Sequence, residues 1–262
     1  MTEILLSVFF ISVLLLFLST GVWVALSMIG VSTIAMTLFT SRPVGDAMAT
    51  TIWGTSSSWT LTALPLFVWM GEILFRTKLS ENLFEGLSPW MQKLPGGLIH
   101  VNVVGCALFA AISGSSAATV ATVGKMSIPE LRKRNYPEKI LLGSLAGSGT
   151  LGLLIPPSII LIIYGVTVQE SIAKLFIAGI VPGIMIALIF MSYVILWSLF
   201  NKKQMPNIVN QYSFIDKIKK SGQLIPVIIL ILSVIGSIYT GIATATEAAS
   251  LGVVGALFLS YF

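Results

Sequence analysis

Charged residues are scarce in this sequence. Only 10% of its 262 residues are Asp, Glu, Lys or Arg, while 56% are hydrophobic, and the mean hydropathy is +0.97. Because soluble domains carry about 25% charged residues, we expect this chain to be surrounded by a lipid bilayer. Its net charge of +5 therefore does not indicate nucleic acid as a partner, since Lys and Arg in membrane proteins report orientation instead.

Cysteine and histidine are almost absent, each occurring once, as Cys106 and His100. A single cysteine excludes an internal disulfide and a metal site built from several cysteines. An intramembrane serine hydrolase, one rival function, would need a base and an acid beside a serine such as Ser113. The only histidine lies on the same apolar segment as that serine, and Asp46 and Asp216 both fall in predicted loops. The sequence therefore disfavours an enzyme.

Long apolar runs dominate what is present. A membrane-spanning helix needs about 20 mostly apolar residues, and the beginning, "MTEILL", lacks the basic region of a removable signal peptide. The predicted spans are Ile4–Leu18, Val22–Leu38, Leu61–Phe75, Ile140–Val166, Leu175–Phe200 and Leu224–Tyr239.

One further run, Leu94–Gly124, is long for one span and short for two. If this run enters the membrane and returns, every Lys and Arg except Arg42 and Lys174 lies on the cytoplasmic side, as the positive-inside rule requires. We therefore predict a re-entrant helical hairpin over 94–124 with its tip at Ser113–Ser116 and a periplasmic N-terminus. The alternative is one long tilted helix whose small residues pack against a neighbour.

The next span, Lys139–Gly165, is interrupted by Pro156 and Pro157. Proline has no N–H, so the carbonyls of Gly152 and Leu153 lose their helical donors. Inside a bilayer such carbonyls need another partner, for which a sodium ion is suitable, and the new helix N-terminus favours an anion. Two interrupted segments close in sequence indicate the binding site of a secondary transporter; the alternative is a proline kink without function.

These segments resemble a known family, the large membrane subunit of tripartite ATP-independent periplasmic (TRAP) transporters. The resemblance rests on "ISGSSAATVATVG", "SIPELRKRNYPEK", "GSLAGSGTLGLLIPPSIILIIYG", "LTALPLFVWMGEIL" and "GIATATEAASLGVVGAL". It implies an all-α polytopic protein of the bacterial inner membrane that imports a carboxylate solute with sodium by an elevator mechanism. It also implies two partners, a small membrane subunit and a periplasmic substrate-binding protein, and a fold of two inverted repeats.

The expected organisation follows the first of these repeats. We expect scaffold helices over 1–78, an amphipathic interfacial arm over 79–93, and part of a transport domain over 94–173 that holds the hairpin and a broken helix over 140–166. A transmembrane helix over 174–200, a cytoplasmic loop over 201–223 and the start of a second repeat over 224–262 would follow. Because the last apolar run stops at the chain end, we expect the sequence to be truncated and inactive alone.

The predicted site combines the hairpin tip with the helix break. Oxygens for sodium are expected from Ser113, Gly114, Ser115, Ser116, Gly149, Thr150, Gly152, Leu153, Ile155 and Pro157. The substrate is expected beside them, at Ser115, Ser116, Pro156, Pro157 and Ser158. Sodium is the only metal expected and no organic cofactor is predicted. Two alternatives remain, another sodium–carboxylate symporter with a similar hairpin and a membrane assembly partner that does not transport.

Two carboxylates within or beside the apolar runs have local explanations as well as functional ones. Glu72 precedes Arg76 by one helical turn, which predicts an ion pair on the helix surface. Glu247 lies near the start of the last apolar run, where it is expected to cap a helix, although an intramembrane carboxylate is also a candidate functional group.

Overall fold

The computed structural model describes residues 2–77, 79–206 and 212–261. Within these ranges the chain forms helices and no strand, which confirms the prediction of an all-α protein. Many of these helices are strongly apolar, as expected of a polytopic membrane protein. The chain divides into two compact units, Met1–Ser58 and Trp59–Phe262.

The first unit contains three helices, α1 (Thr2–Ser19), α2 (Val24–Phe39) and α3 (Val44–Ser56). The first two pack on each other, and the rings of Phe10 and Phe39 meet edge to face with centroids 5.6 Å apart. The sequence did not predict α3, because its glycine, threonine and aspartate residues lower its hydropathy below that of a membrane span.

The second unit holds the segments that were predicted to form the hairpin and the broken helix. Its helices are α4 (Ala63–Phe75), α5 (Leu79–Met91), α6 (Ile99–Ser113), α7 (Ser116–Lys133), α8 (Glu138–Gly149), α9 (Ile159–Val168), α10 (Ile172–Phe200), α11 (Phe214–Ser221), α12 (Ile225–Tyr239) and α13 (Ala245–Tyr261).

The core of the second unit surrounds α6. This helix packs against α7 and α8 on one side and contacts α4, α5 and α10 as well, while α13 lies along α4. Phe67 of α4, Phe109 of α6 and Phe176 of α10 are almost completely buried. Because lipid is as apolar as these side chains, close packing rather than exclusion of water is what holds such helices together.

The sequence predicted only a loop over 201–223, and residues 207–211 of this stretch lie outside the described residues. Helix α11 lies in the remainder of the stretch. The indole N–H of Trp90 on α5 donates to Ser221 Oγ at 2.7 Å, and the Lys217 ammonium lies 5.2 Å from the Trp90 ring centroid. Helix α11 continues through a 3-10 turn, Gly222–Leu224, into α12, and its packing on α5, which sequence periodicity does not reveal, adds to its stability.

The lengths of the helices differ from the predicted spans. Two stretches of the described residues, Ile172–Phe200 and Phe214–Tyr239, are long and apolar enough to cross a membrane alone, with a third if Val44–Ser56 and Trp59–Phe75 count together. The other apolar helices are shorter. Helix α7 also continues to Lys133, past Gly124 where the sequence predicted the hairpin to end, because Leu131 on its buried face extends the core.

Candidate functional site

The serine cluster at 113–116 forms a sharp turn between helices α6 and α7. Helix α6 ends at Ser113, and Gly114 adopts a left-handed conformation with φ of +59°, which glycine reaches at no steric cost. Ser115 is extended and caps α7, because its hydroxyl accepts a hydrogen bond from the N–H of Ala118 at 3.4 Å. The chain therefore reverses within two residues and leaves three serines at the turn.

Buried hydrogen bonds fix part of this turn. Ser113 Oγ lies 3.0 Å from Thr119 Oγ1 and donates to the Ser115 carbonyl at 3.3 Å. The Ser116 hydroxyl differs, since its oxygen is buried and has no hydrogen-bond partner among the described residues. A buried polar atom without a partner is costly, so Ser116 Oγ is the tip oxygen best placed to accept a ligand.

The second element is broken between α8 and α9. A short 3-10 helix, Thr150–Leu153, follows α8, and the backbone is then irregular until Ile159; the Pro156–Pro157 peptide bond is cis. The Leu151 carbonyl accepts from the N–H groups of Leu154 and Ile155, at 3.0 and 2.9 Å. The helical ladder therefore ends before the two prolines.

The two carbonyls that motivated the sodium prediction differ from each other. Ser158 Oγ donates to the Leu153 carbonyl at 2.7 Å, so that carbonyl has an internal partner. Residue 156 is proline and has no N–H to offer the Gly152 carbonyl. Gly152 is therefore the better motivated of the two as an ion ligand.

The structure brings the tip and the break into direct contact. The N–H of Ile159, at the start of α9, donates to the Gly114 carbonyl at 3.3 Å. A Cβ added at Gly114 would lie 2.5 Å from the Pro157 carbonyl oxygen, and one added at Gly152 would lie 2.8 Å from the Ser116 nitrogen. Only glycine permits these approaches, and the carbonyl end of α6 thereby meets the N-terminus of α9, a favourable dipole arrangement.

The remaining predicted residues occupy three different environments. Thr150 is exposed, and its hydroxyl donates to the Gly147 carbonyl at 2.7 Å. Gly149 is buried beneath Val120 of the hairpin, and Ile155 packs against Gly183 of α10. Residues 156–158 of the break, which were predicted to bind the substrate, are buried. Ser115 and Ser116 of the tip, predicted for the same role, are only partly buried.

A cleft of about 240 Å³ opens beside the tip, between α4 and α7. Its polar lining comes from Ser113, Ser115 and Thr122 of the hairpin and from Glu72 of α4. Sequence reasoning missed the contributions of α4 and of Thr122. The spacing of Thr122 from Ser115, two helical turns along α7, is the signal that could have placed both side chains on one face.

Both carboxylates singled out from the sequence are engaged locally. Glu72 Oε1 and Arg76 Nη2 are 2.9 Å apart on the exposed surface of α4, as the sequence predicted. Glu247 Oε2 accepts from the Thr244 N–H at 2.8 Å, and the Glu247 N–H donates to Thr244 Oγ1 at 3.4 Å. This reciprocal pair is a capping box, which confirms the capping interpretation of Glu247.

His100 does not lie beside the serine cluster. It occupies the first turn of α6, while Ser113 ends that helix, which separates them by about 20 Å along the axis. His100 Nε2 instead lies 2.8 Å from the Pro95 carbonyl oxygen. The geometry excludes a direct serine–histidine pair between these two residues.

Comparison with known proteins decides the family. Residues 11–262 match the family described as "Tripartite ATP-independent periplasmic transporter, DctM component". The chain belongs to this TRAP transporter family. The match confirms the resemblance seen in the sequence motifs.

Individual relatives of the family agree with this assignment. The C4-dicarboxylate TRAP transporter large permease protein DctM of Pseudomonas aeruginosa is 34% identical over 82% of this chain and 50% of its own length. The isethionate TRAP transporter permease protein DctMQ of Oleidesulfovibrio alaskensis is 34% identical over 94% of this chain and 38% of its own length. The sialic acid TRAP transporter large permease protein SiaM of Vibrio cholerae is 33% identical over 92% and 56%.

The chain thus spans about half the length of the curated relatives it matches. These relatives are permeases and not enzymes, in agreement with the argument from the single histidine.

Proposed function

We propose that this chain forms the first repeat, and the start of a second, of a TRAP transporter permease in the bacterial inner membrane. The permease imports an organic anion together with sodium. A periplasmic binding protein delivers the substrate, a small membrane subunit supports the scaffold, and a transport domain moves as an elevator. The observation that carries the proposal is the contact of the serine tip of one interrupted element with the break of the other.

The length of α6 supports a re-entrant hairpin. Its 15 residues extend about 22 Å, which is less than the roughly 30 Å of hydrocarbon that a spanning helix must cross. A hairpin that enters and returns places Ser113–Ser116 at membrane depth. Irregular backbone is tolerated there only where protein or a water-filled cavity surrounds it, and here α9 and the cleft beside the tip meet that condition.

The oxygens at the contact support sodium as the coupling ion. Ser116 Oγ is buried without a hydrogen-bond partner among the described residues. The Gly152 carbonyl lacks its usual helical donor because residue 156 is proline. The segments that carry these two oxygens are in contact. Hard cations prefer oxygen ligands, and because these oxygens are neutral, a bound Na⁺ would leave an uncompensated positive charge. Ion and anion would then increase each other's affinity, which is the coupling that symport requires.

An anionic substrate is consistent with the named relatives. The substrates in their names include C4-dicarboxylate, isethionate and sialic acid. Isethionate carries a sulfonate in place of a carboxylate, so the shared feature is an organic acid group. We propose a carboxylate substrate for this chain, with a sulfonate as the second choice, bound at the cleft beside Ser113 and Ser115.

Uptake by the complete transporter in proteoliposomes tests this function. The permease, its small subunit and its binding protein should accumulate a labelled organic anion under an inward sodium gradient, and a potassium gradient of the same size should give none. Equal uptake under both gradients would remove sodium coupling. Absence of uptake for a panel of carboxylates and sulfonates would favour a passive assembly partner.

A further inference from the structure

A second cleft, of about 390 Å³, lies among α5, α7 and α11. It shares no residue with the cleft at the serine tip, and nothing in the proposed transport cycle uses it. Its volume falls within the usual range for small-molecule sites. Its lining includes Lys125 of α7, Arg134 directly after α7 and Lys220 of α11.

The charges around this cleft do not balance. Arg134 Nη2 is paired with Glu130 Oε2 at 3.5 Å. Neither Lys125 nor Lys220 forms an ion pair within the described ranges of the chain. Glu85 is then the only unpaired carboxylate of the lining against two ammonium groups, so the cleft has an excess of one positive charge.

Each ammonium group lies over an aromatic ring, that of Lys125 over a ring that lines the cleft at the serine tip. Lys125 Nζ lies 5.3 Å from the ring centroid of Phe75, and Lys220 Nζ lies 4.8 Å from that of Tyr212. An ammonium group over a ring is attracted to the ring's π-electrons but keeps N–H donors free for an acceptor. Both cations of the lining therefore retain donors for an acceptor in the cleft.

The cleft is bordered by a helix suited to the membrane surface. Helix α11 exposes Phe214, Ile215 and Ile218 by 67%, 75% and 55%, and Lys219 is exposed as well. Helix α11 is the basic beginning of the longer apolar stretch Phe214–Tyr239, and Lys side chains at the end of a membrane-spanning helix extend to the lipid–water interface. The positive-inside rule places α11 on the cytoplasmic side, where anionic headgroups attract basic segments.

We propose that this cleft binds a phosphate group, presented by an anionic phospholipid headgroup, with Lys125 and Lys220 as its cationic ligands. The single negative charge of a phosphodiester matches the excess charge of the cleft. Because the two lysines belong to different helices, the bound phosphate links α7, the second arm of the hairpin, to α11 and α5 at the membrane surface.

Native mass spectrometry of the intact chain in detergent tests the proposal. The probe is dioleoyl phosphatidylglycerol, compared with zwitterionic dioleoyl phosphatidylcholine. Lys125→Gln and Lys220→Gln should each lower the affinity for phosphatidylglycerol about fivefold, since one basic residue near an anionic surface contributes roughly that factor. Lys133→Gln and Lys219→Gln are matched controls, because they remove the same charge from exposed positions of α7 and α11 outside the cleft.

The outcomes separate the alternatives. Loss of binding in the first pair of variants only, with Lys220→Arg retaining it, supports the site. Displacement of the lipid by equimolar sn-glycerol 3-phosphate would support the phosphate site but assign it to a soluble phosphate ester. Equal loss in all four glutamine variants would overturn the proposal in favour of general surface charge. Failure of the unsubstituted chain to prefer phosphatidylglycerol over phosphatidylcholine, with no binding of glycerol phosphate, would also overturn it.

Discussion

Gly114 is the residue on which the contact between tip and break depends most strongly. Gly114→Ala must place a side chain at a φ of +59° and 2.5 Å from the Pro157 carbonyl oxygen. The left-handed conformation costs an L-residue about 1–2 kcal/mol, and overpacking costs about 1–3 kcal/mol more. We expect a clearly lower thermal midpoint for this variant in detergent, measured by the loss of helical circular dichroism.

Gly143→Ala is the matched control for this change. Gly143 lies inside α8, and an added Cβ would meet no atom within 4 Å. Since alanine is the better helix former, this variant should be as stable as the unsubstituted chain or slightly more stable. Equal destabilisation by both substitutions would contradict the geometry of the tip.

Individual site residues were partly predictable. Consecutive small polar residues within an apolar run predicted a break at 113–116, because glycine and serine favour caps and turns over helix interiors. The sequence could not reveal that Ser158 donates to the Leu153 carbonyl, or that the Thr150 hydroxyl bonds to Gly147. Both facts depend on side-chain orientation in the folded chain, which spacing alone does not determine.

At the scale of elements, the hairpin makes a prediction about sidedness. Lys93, before α6, and Lys125, on α7, are both exposed and should face the cytoplasm. In a background that lacks Cys106, Lys93→Cys and Lys125→Cys should both react with a membrane-impermeant maleimide in inside-out vesicles and stay protected in right-side-out vesicles. Reaction of the two cysteines from opposite sides would mean that the segment crosses the membrane once.

The elements themselves were predicted unevenly. Apolar runs located most of the long helices, because their composition alone sets them apart from loops. Helix α11 was missed because its Asp and Lys residues make it resemble a loop, and its packing on α5 joins Trp90 and Ser221, residues far apart in sequence. The end of α7 was placed too early because Lys125 and Pro129 resemble a helix stop, although the helix continues to Lys133 with Leu131 buried in the core.

On the scale of the whole molecule, the proposed sodium coupling depends on one buried, unpartnered oxygen at the contact of two interrupted elements. The chain offers a control for it within the same helix. Ser116 Oγ and Ser127 Oγ are both buried on α7 without a hydrogen-bond partner among the described residues. They are separated by about 16 Å along the helix axis, and only Ser116 lies where the hairpin tip contacts the break between α8 and α9.

The sodium dependence of uptake by the complete permease tests this claim most directly. Loss of one ion ligand should cost about 1.5 kcal/mol or more, so Ser116→Ala should raise the sodium concentration for half-maximal uptake about tenfold. Ser127→Ala should leave that concentration unchanged, although it removes an equally buried hydroxyl. An unchanged sodium response in a well-inserted Ser116→Ala permease, or an equal shift in both variants, would contradict a sodium site between the hairpin tip and the broken helix.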